Sequence, residues 1–248
     1  MSYSAMRADG VAYAPAVYAS GDERLAYLKK VYMLVFAGVL SFAAGIGLPI
    51  AGAMAQVGIF EAWLSASFQL PPLVAFLGLI GTSFLVHAVS MTKGWNLVAF
   101  FAMSQVWAFL TLPMVAFALA QANLGYGVVL QAAVLTTMVF GGLTGFVLIS
   151  KKDFSFIGAG LTIGLFLMLG VTLYAVIAST FFGQDMSLLS IALSAFAVIL
   201  FSGYVLYDTS QIMHRYATDM VVPGALALMV DFIILFRSIL MLLIARRD

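Results

Sequence analysis

Ala227-Leu228-Met229-Val230-Asp231-Phe232-Ile233-Ile234-Leu235-Phe236 places one carboxyl in the middle of an apolar run over residues 221–245. A helix needs about 20 apolar residues to cross roughly 30 Å of hydrocarbon, and this run is long enough. Asp231 lies ten positions beyond Val221, about 15 Å into such a helix at 1.5 Å per residue. The run is typical of the chain. Of 248 residues, 64% are hydrophobic and only 8% charged, and the mean hydropathy is +1.13. So few charges cannot make the polar surface of a water-soluble fold, and the chain is far too apolar for disorder. Composition therefore specifies an all-α polytopic membrane protein, in which lipid replaces the polar surface. Eleven Lys and Arg against ten Asp and Glu leave a net charge of +1, which excludes nucleic acid as a partner. The chain has no Cys, so disulfides, thiol chemistry and Cys-based metal sites are ruled out.

Seven stretches qualify as spans, at about 28–53, 71–91, 95–120, 126–150, 157–182, 188–212 and 221–245. Short breaks such as Met91-Thr92-Lys93-Gly94, Lys151-Lys152-Asp153 and Gly183-Gln184-Asp185 separate them. Pro71-Pro72 suits a first helical turn, and Pro113 predicts a tolerated kink. No cleavable signal precedes the first span, because Arg24, Lys29 and Lys30 come before an apolar run that no small-residue cleavage site ends. Residues 1–25 read as a mobile cytoplasmic tail, and 26–248 as one seven-helix transmembrane domain. With seven spans drawn, Arg7, Arg24, Lys29, Lys30, Lys93, Lys151, Lys152 and Arg215 share one side. The positive-inside rule makes that side, and the N-terminus, cytoplasmic. The opposite side holds only Arg246 and Arg247, and a seventh segment that re-enters and returns would bring that pair back inside.

Ionisable residues within or beside spans carry the functional reading. Asp208, in Tyr207-Asp208-Thr209-Ser210-Gln211, precedes Arg215 by seven positions, about 10 Å from the boundary. Spans six and seven are joined by a short loop and run antiparallel, so Asp208 and Asp231 differ in depth by only about 5 Å, within reach of tilt and side-chain length. Two carboxyls meeting in a low-dielectric interior cannot both ionise cheaply and share a proton. Protonated, the pair latches two helices. Ionised, it repels and offers oxygens to a hard cation such as Ca²⁺. Read separately, Asp231 is also a structural acid and Asp208 a capping one. Arg237, about 240° around the helix from Asp231, reads as snorkelling to the outer interface. His87, near the inner end of span two, is a bonded interior His or a switch. Gln105 and Gln131 are expected to bond across helices, and Gly141-Gly142-Leu143-Thr144-Gly145 and Gly158–Gly164 to mark close helix packing. There is no P-loop, nucleophile elbow or zinc-protease motif. Intramembrane aspartyl proteases also pair two Asp, one of them after Tyr. Their second Asp follows a helix-opening Gly-x-Gly, where this chain has Leu228-Met229-Val230. The chain is expected not to be an enzyme and to bind no cofactor tightly.

Residues 201–212 (Phe201-Ser202-Gly203-Tyr204-Val205-Leu206-Tyr207-Asp208-Thr209-Ser210-Gln211-Ile212) resemble the sixth-helix motif of the transmembrane Bax inhibitor motif family. Residues 225–236 resemble its seventh-helix motif, and Lys151-Lys152-Asp153-Phe154-Ser155 is similar to a loop of the same family. The likeness spans about residues 25–245. It implies seven helices with the last one central among the other six. It also implies a pH-sensitive Ca²⁺ leak controlled by Asp208 and Asp231, with Ca²⁺ and protons as the partners besides the lipid bilayer. Relatives are described as cytoprotective, and some bacterial ones as partners of a membrane protease. The short loops fit a bacterial inner membrane. Where relatives carry an Arg that latches to the sixth-helix Asp, this chain has Ser90, with His87 and Lys93 nearby as candidate partners. A non-transporting regulator that contacts a membrane protein through its tail is the competing reading.

Overall fold

The computed structural model describes residues 5–6, 12–13, 16–89, 92, 94–121 and 124–247. The side chains of residues 5–6, 12–13, 85 and 87 are outside that description. Apart from a two-residue antiparallel pairing of Ala5–Met6 with Ala12–Tyr13 and two short 3-10 turns, the described chain is built of α-helices. They are α1 (Gly21–Met54), α2 (Gly58–Gln69), α3 (Pro72–Val89), α4 (Trp95–Ala120), α5 (Gly125–Ser150), α6 (Gly158–Phe182), α7 (Ser187–His214) and α8 (Val221–Ala245).

Six of these, α1 and α4 to α8, are each long and apolar enough to cross a membrane. Helices α2 and α3 meet at 101°, and if that bent pair is one broken span the number rises to seven. Helix α2 falls between the first two expected spans, and its 12 residues are short of the roughly 20 that crossing requires. The helix packs on α1 and α4 instead. Phe60 lies over Gly52, where an added Cβ would come within 2.1 Å of the ring, and Trp63 meets Phe109 edge-on.

The start of α1 is also earlier than expected. Ser20 caps it, accepting a bond from the Glu23 N–H at 3.3 Å while Glu23 Oε2 accepts from the Ser20 N–H at 3.1 Å. This reciprocal box satisfies two donors that a helix start otherwise leaves open. Ala16 is fully buried, and its N–H donates to the Tyr216 carbonyl at 2.8 Å. Residues 16–25 are therefore a docked strap and the first turn of a helix, and the tail reading does not extend to them.

Short contacts between distant segments fix the two ends of the bundle. Besides Ala16 on Tyr216, the Tyr27 hydroxyl donates to the Met220 carbonyl at 3.5 Å and the Phe154 N–H to Ser210 Oγ at 2.9 Å. The start of α1, the α5–α6 loop and the α7–α8 loop thus share one end, called here the N-terminal end. At the opposite end Arg247 donates to Gln131 Oε1 at 3.0 Å. Helix α8 runs the full depth between them, so the re-entrant alternative does not hold. It is the most enclosed of the crossing helices, with 56% of its most apolar stretch buried. Its neighbours include α1, α4, α5 and α7, while α6 packs on α7 and α3.

Close approach depends on particular glycines. A Cβ at Gly38 would come within 2.5 Å of Met229 Sδ and 2.6 Å of the Phe100 ring, where α1, α4 and α8 meet. Gly158 and Gly164 face Tyr207 and Leu200 in the same way. Gly141, Gly142 and Gly145 have nothing within 4 Å of a would-be Cβ, so the packing expected of that cluster is absent. Gly141 and Gly142 are exposed and Gly145 is half-buried. Gln105 does bond across helices, donating to the Ser41 carbonyl at 2.9 Å and its hydroxyl at 2.7 Å.

Candidate functional site

Asp231 lies on the enclosed face of α8, 3% exposed, between the buried Leu228 and Leu235. Asp208 lies six positions before the end of α7 and is half-buried. The two helices are antiparallel neighbours, and the two carboxyls lie close enough to act on each other directly. Neither anion has a hydrogen to give, so a bond between them requires one carboxyl to hold a proton. Asp231 Oδ2 is buried with no hydrogen-bond partner among the described residues. Two charges together in a low-dielectric interior are costly, and a proton held by one of them lowers that cost.

Tyrosines flank the pair. Tyr204, one turn before Asp208, and Tyr216, in the loop after α7, both feel the two carboxyls. Burial first, and then the charge at Asp208, push the Tyr216 phenol up to about 12. Tyr216 is also the residue whose carbonyl receives the Ala16 N–H, so the strap docks on the loop beside the pair. On the next face of α7, the hydroxyls of Tyr32, Thr144 and Thr209 gather from α1, α5 and α7.

A second set of contacts holds the α7 end that carries Asp208. Ser210 Oγ accepts the Phe154 N–H and donates to Asp153 Oδ1 at 3.3 Å. Asp153 Oδ1 also accepts from the Ser155 N–H at 2.8 Å and from the Ser155 hydroxyl. Gln211 Nε2 donates to Ser155 Oγ at 3.3 Å. The bonds from Ser155 are the main cause holding the Asp153 carboxyl below its usual range. The sequence showed Asp153, Ser155, Ser210 and Gln211 as parts of quoted motifs but not as one network. The signal was present in the Asp-x-Ser spacing, which favours this turn in a loop.

The remaining expected residues divide. Arg237 does not snorkel outward. Its guanidinium lies over the Trp107 ring, 5.5 Å from the centroid, well away from the Asp pair. The side chain of His87, and Ser90 and Lys93 altogether, lie outside the described residues. Among the described residues no three His, Cys, Asp or Glu side chains form a metal cluster.

The family model described as the inhibitor of apoptosis-promoting Bax1 matches residues 24–248. An uncharacterised protein of Campylobacter jejuni is 35% identical over 222 residues, covering 88% of this chain and 87% of the relative. Mouse protein lifeguard 4 is 32% identical over 226 residues, covering 90% of this chain and 86% of its own length. Bax inhibitor 1 of Schizosaccharomyces pombe is 37% identical over 117 residues, 47% of this chain and 42% of the relative.

Proposed function

This chain belongs to the family of the inhibitor of apoptosis-promoting Bax1, and on that premise we propose that it is a pH-sensitive Ca²⁺ leak gated by Asp208 and Asp231. The observation that carries the reading is the direct approach of the two carboxyls across α7 and α8. Held by one proton, the pair pins the buried α8 to α7 and closes the path. When the proton leaves, two anions face each other in low dielectric and repel, which favours separation of the helices. The separated carboxylates attract a divalent cation. The polarity follows directly: acid closes, base opens. In this reading the bent α2–α3 pair is the remaining span of a seven-helix bundle around α8. The N-terminal end faces the cytoplasm, and the membrane is a bacterial inner membrane.

The test is Ca²⁺ flux into proteoliposomes across a pH series for the parent protein, Asp208→Asn and Asp231→Asn. The parent should leak faster as pH rises, and either substitution should flatten the profile. A profile unchanged in both variants would remove the gating role.

The relatives' names favour a second reading. Mouse lifeguard 4 and yeast Bax inhibitor 1 are named for protection and inhibition, not transport. A non-transporting regulator of a membrane protease or other membrane protein would act through its N-terminal segment, where Tyr18 is 72% exposed. Removing that segment would then abolish the partner's response while leaving any Ca²⁺ flux in place. A flux that survives alongside a lost response would assign both activities to the chain.

A further inference from the structure

Arg237 poses a problem that the Asp pair does not solve. It is on a crossing helix, eight positions before the end of α8, about 12 Å deep. Side chains on a helix lean towards its N-terminus, and here that direction leads further into the bundle. The guanidinium rests on Trp107, which stands at the midpoint of α4, twelve positions after Trp95 and thirteen before Ala120. Stacking on an aromatic face is worth about 0.5–2 kcal/mol, whereas a cation near the bilayer centre costs at least about 2.5–3.5 kcal/mol. Among the described residues no carboxylate bonds to Arg237 and no acid perturbs it.

Trp107 presents an unmet donor. The residue is 5% exposed, and its indole Nε1–H is buried with no acceptor among the described residues. Thr111 donates to the Trp107 carbonyl at 2.7 Å and Ser104 to Ser41 at 2.8 Å. An unmet indole donor and a half-buried cation with no carboxylate partner among the described residues lie side by side in an apolar wall. Buried donors demand acceptors, and a charge demands a counter-charge.

We infer that Arg237 and Trp107 form a binding site within the bundle for a small monovalent anion of the chloride or nitrate class. The guanidinium supplies the counter-charge and the indole N–H an additional donor at the ring edge. The fixed positive charge disfavours cations. The site lies one helical turn below a cavity of about 830 Å³ at the opposite end of the bundle, whose lining includes Met114, Phe117, Gln184, Met241 and Ser187. Met241 is one turn above Arg237 on α8, and Met114 two turns above Trp107 on α4. Asp185 at the rim turns its carboxylate onto Ser187, through the Ser187 N–H at 2.9 Å and the Ser187 hydroxyl. This site is independent of the calcium reading, since neither residue touches the Asp pair.

The experiment uses the full chain in detergent, in a Trp63→Phe, Trp95→Phe background that leaves Trp107 as the only indole. Iodide should quench its fluorescence saturably, and chloride, but not gluconate at equal ionic strength, should protect against quenching. Arg237→Met should lose the saturable phase and Arg237→Lys should weaken it several-fold. In the otherwise unsubstituted protein, replacing gluconate by chloride should raise Tm, and Trp107→Phe should reduce that rise several-fold while keeping an aromatic ring in place. Linear, collisional quenching that chloride does not relieve, together with a Tm indifferent to chloride, overturns the site. If Arg237→Met fails to assemble, chloride protection with Arg237 in place still decides the question.

Discussion

Ser210 Oγ accepts the Phe154 N–H at 2.9 Å and lies two positions beyond Asp208 on α7. The α5–α6 loop is thereby tied to the helix end that positions one half of the carboxyl pair. Ser210 is fully buried, so removing its hydroxyl leaves the Phe154 N–H without a partner. A buried donor left unsatisfied costs about 1–3 kcal/mol. Ser210→Ala should therefore lower stability by about that amount, and Ser210→Thr by less. Under the gating reading it should also shift the pH midpoint of Ca²⁺ flux, because Asp208 loses its support. Thermal unfolding and the pH–flux profile of the two variants check this.

Asp153 gives a pH prediction with a definite sign. Its folded-state carboxyl titrates below the ordinary range, chiefly because Ser155 bonds the anion. A depressed folded value means that its contribution to stability is fully present above the unfolded value. That contribution is lost as pH falls through the folded one. The side chain is exposed, so solvent screening keeps the contribution below about 1 kcal/mol. Asp153→Asn should lower Tm slightly at neutral pH and not at all at strongly acid pH, with the two curves converging below the normal carboxylate range. A constant offset at every pH would mean that the carboxylate charge is irrelevant to the loop.

Gly158 begins α6 against the Tyr207 ring, and a Cβ there would lie 2.6 Å from the ring carbon. Tyr207 is an aromatic body next to Asp208, so it cannot yield cheaply. Gly158→Ala should destabilise the protein by about 1–3 kcal/mol through overpacking. Gly160→Ala, two positions on with nothing within 4 Å, should be neutral or slightly stabilising, because alanine is the better helix former. Comparison of the two Tm values checks this.

These contrasts show what was legible in the chain beforehand. The crossing helices were readable because lipid enforces length and apolarity together, and the expected and observed limits of α4 and α8 coincide. The meeting of Asp208 and Asp231 was readable because two antiparallel helices joined by a short loop must bring equal depths together. Helix α2 was not readable, since its 12 residues satisfy no span criterion and its place depends on Phe60 meeting Gly52. The glycines after Phe140 misled because small-residue spacing permits close packing without requiring it. The direction of Arg237 was misread because sequence shows a nearby interface but not the Trp107 ring that draws the side chain the other way.

Asp231 should carry a cost in stability. It is 3% exposed and one of its oxygens is buried without a donor. Replacing both partners of a buried polar pair by apolar residues of similar volume is often neutral or stabilising by about 1–4 kcal/mol, whereas removing one partner alone is destabilising. The double substitution Asp208→Leu, Asp231→Leu should therefore leave Tm unchanged or raise it, while removing any pH dependence of flux, and Asp231→Leu alone should lower Tm. Asp231→Asn should keep a bond to Asp208 through its amide and preserve Tm. A large fall in Tm for the double variant would show that the acids are structural, bonded by more than each other.

The strap docked on the α7–α8 loop makes a prediction about access. Ala217 is 3% exposed, immediately after the Tyr216 carbonyl that Ala16 engages. The chain has no native Cys, so Ala217→Cys introduces a unique thiol whose burial can be read by labelling. In the full chain that thiol should resist a membrane-impermeant maleimide. With residues 2–19 removed, Ser20 and Glu23 still cap α1, the helix is retained, and the thiol should react. The reaction should occur in inside-out vesicles and not in right-side-out ones, if the N-terminal end faces the cytoplasm as the distribution of Lys and Arg requires. Equal labelling with and without the strap would show that Ala16 covers nothing, and labelling from the other side would invert the orientation of the whole bundle.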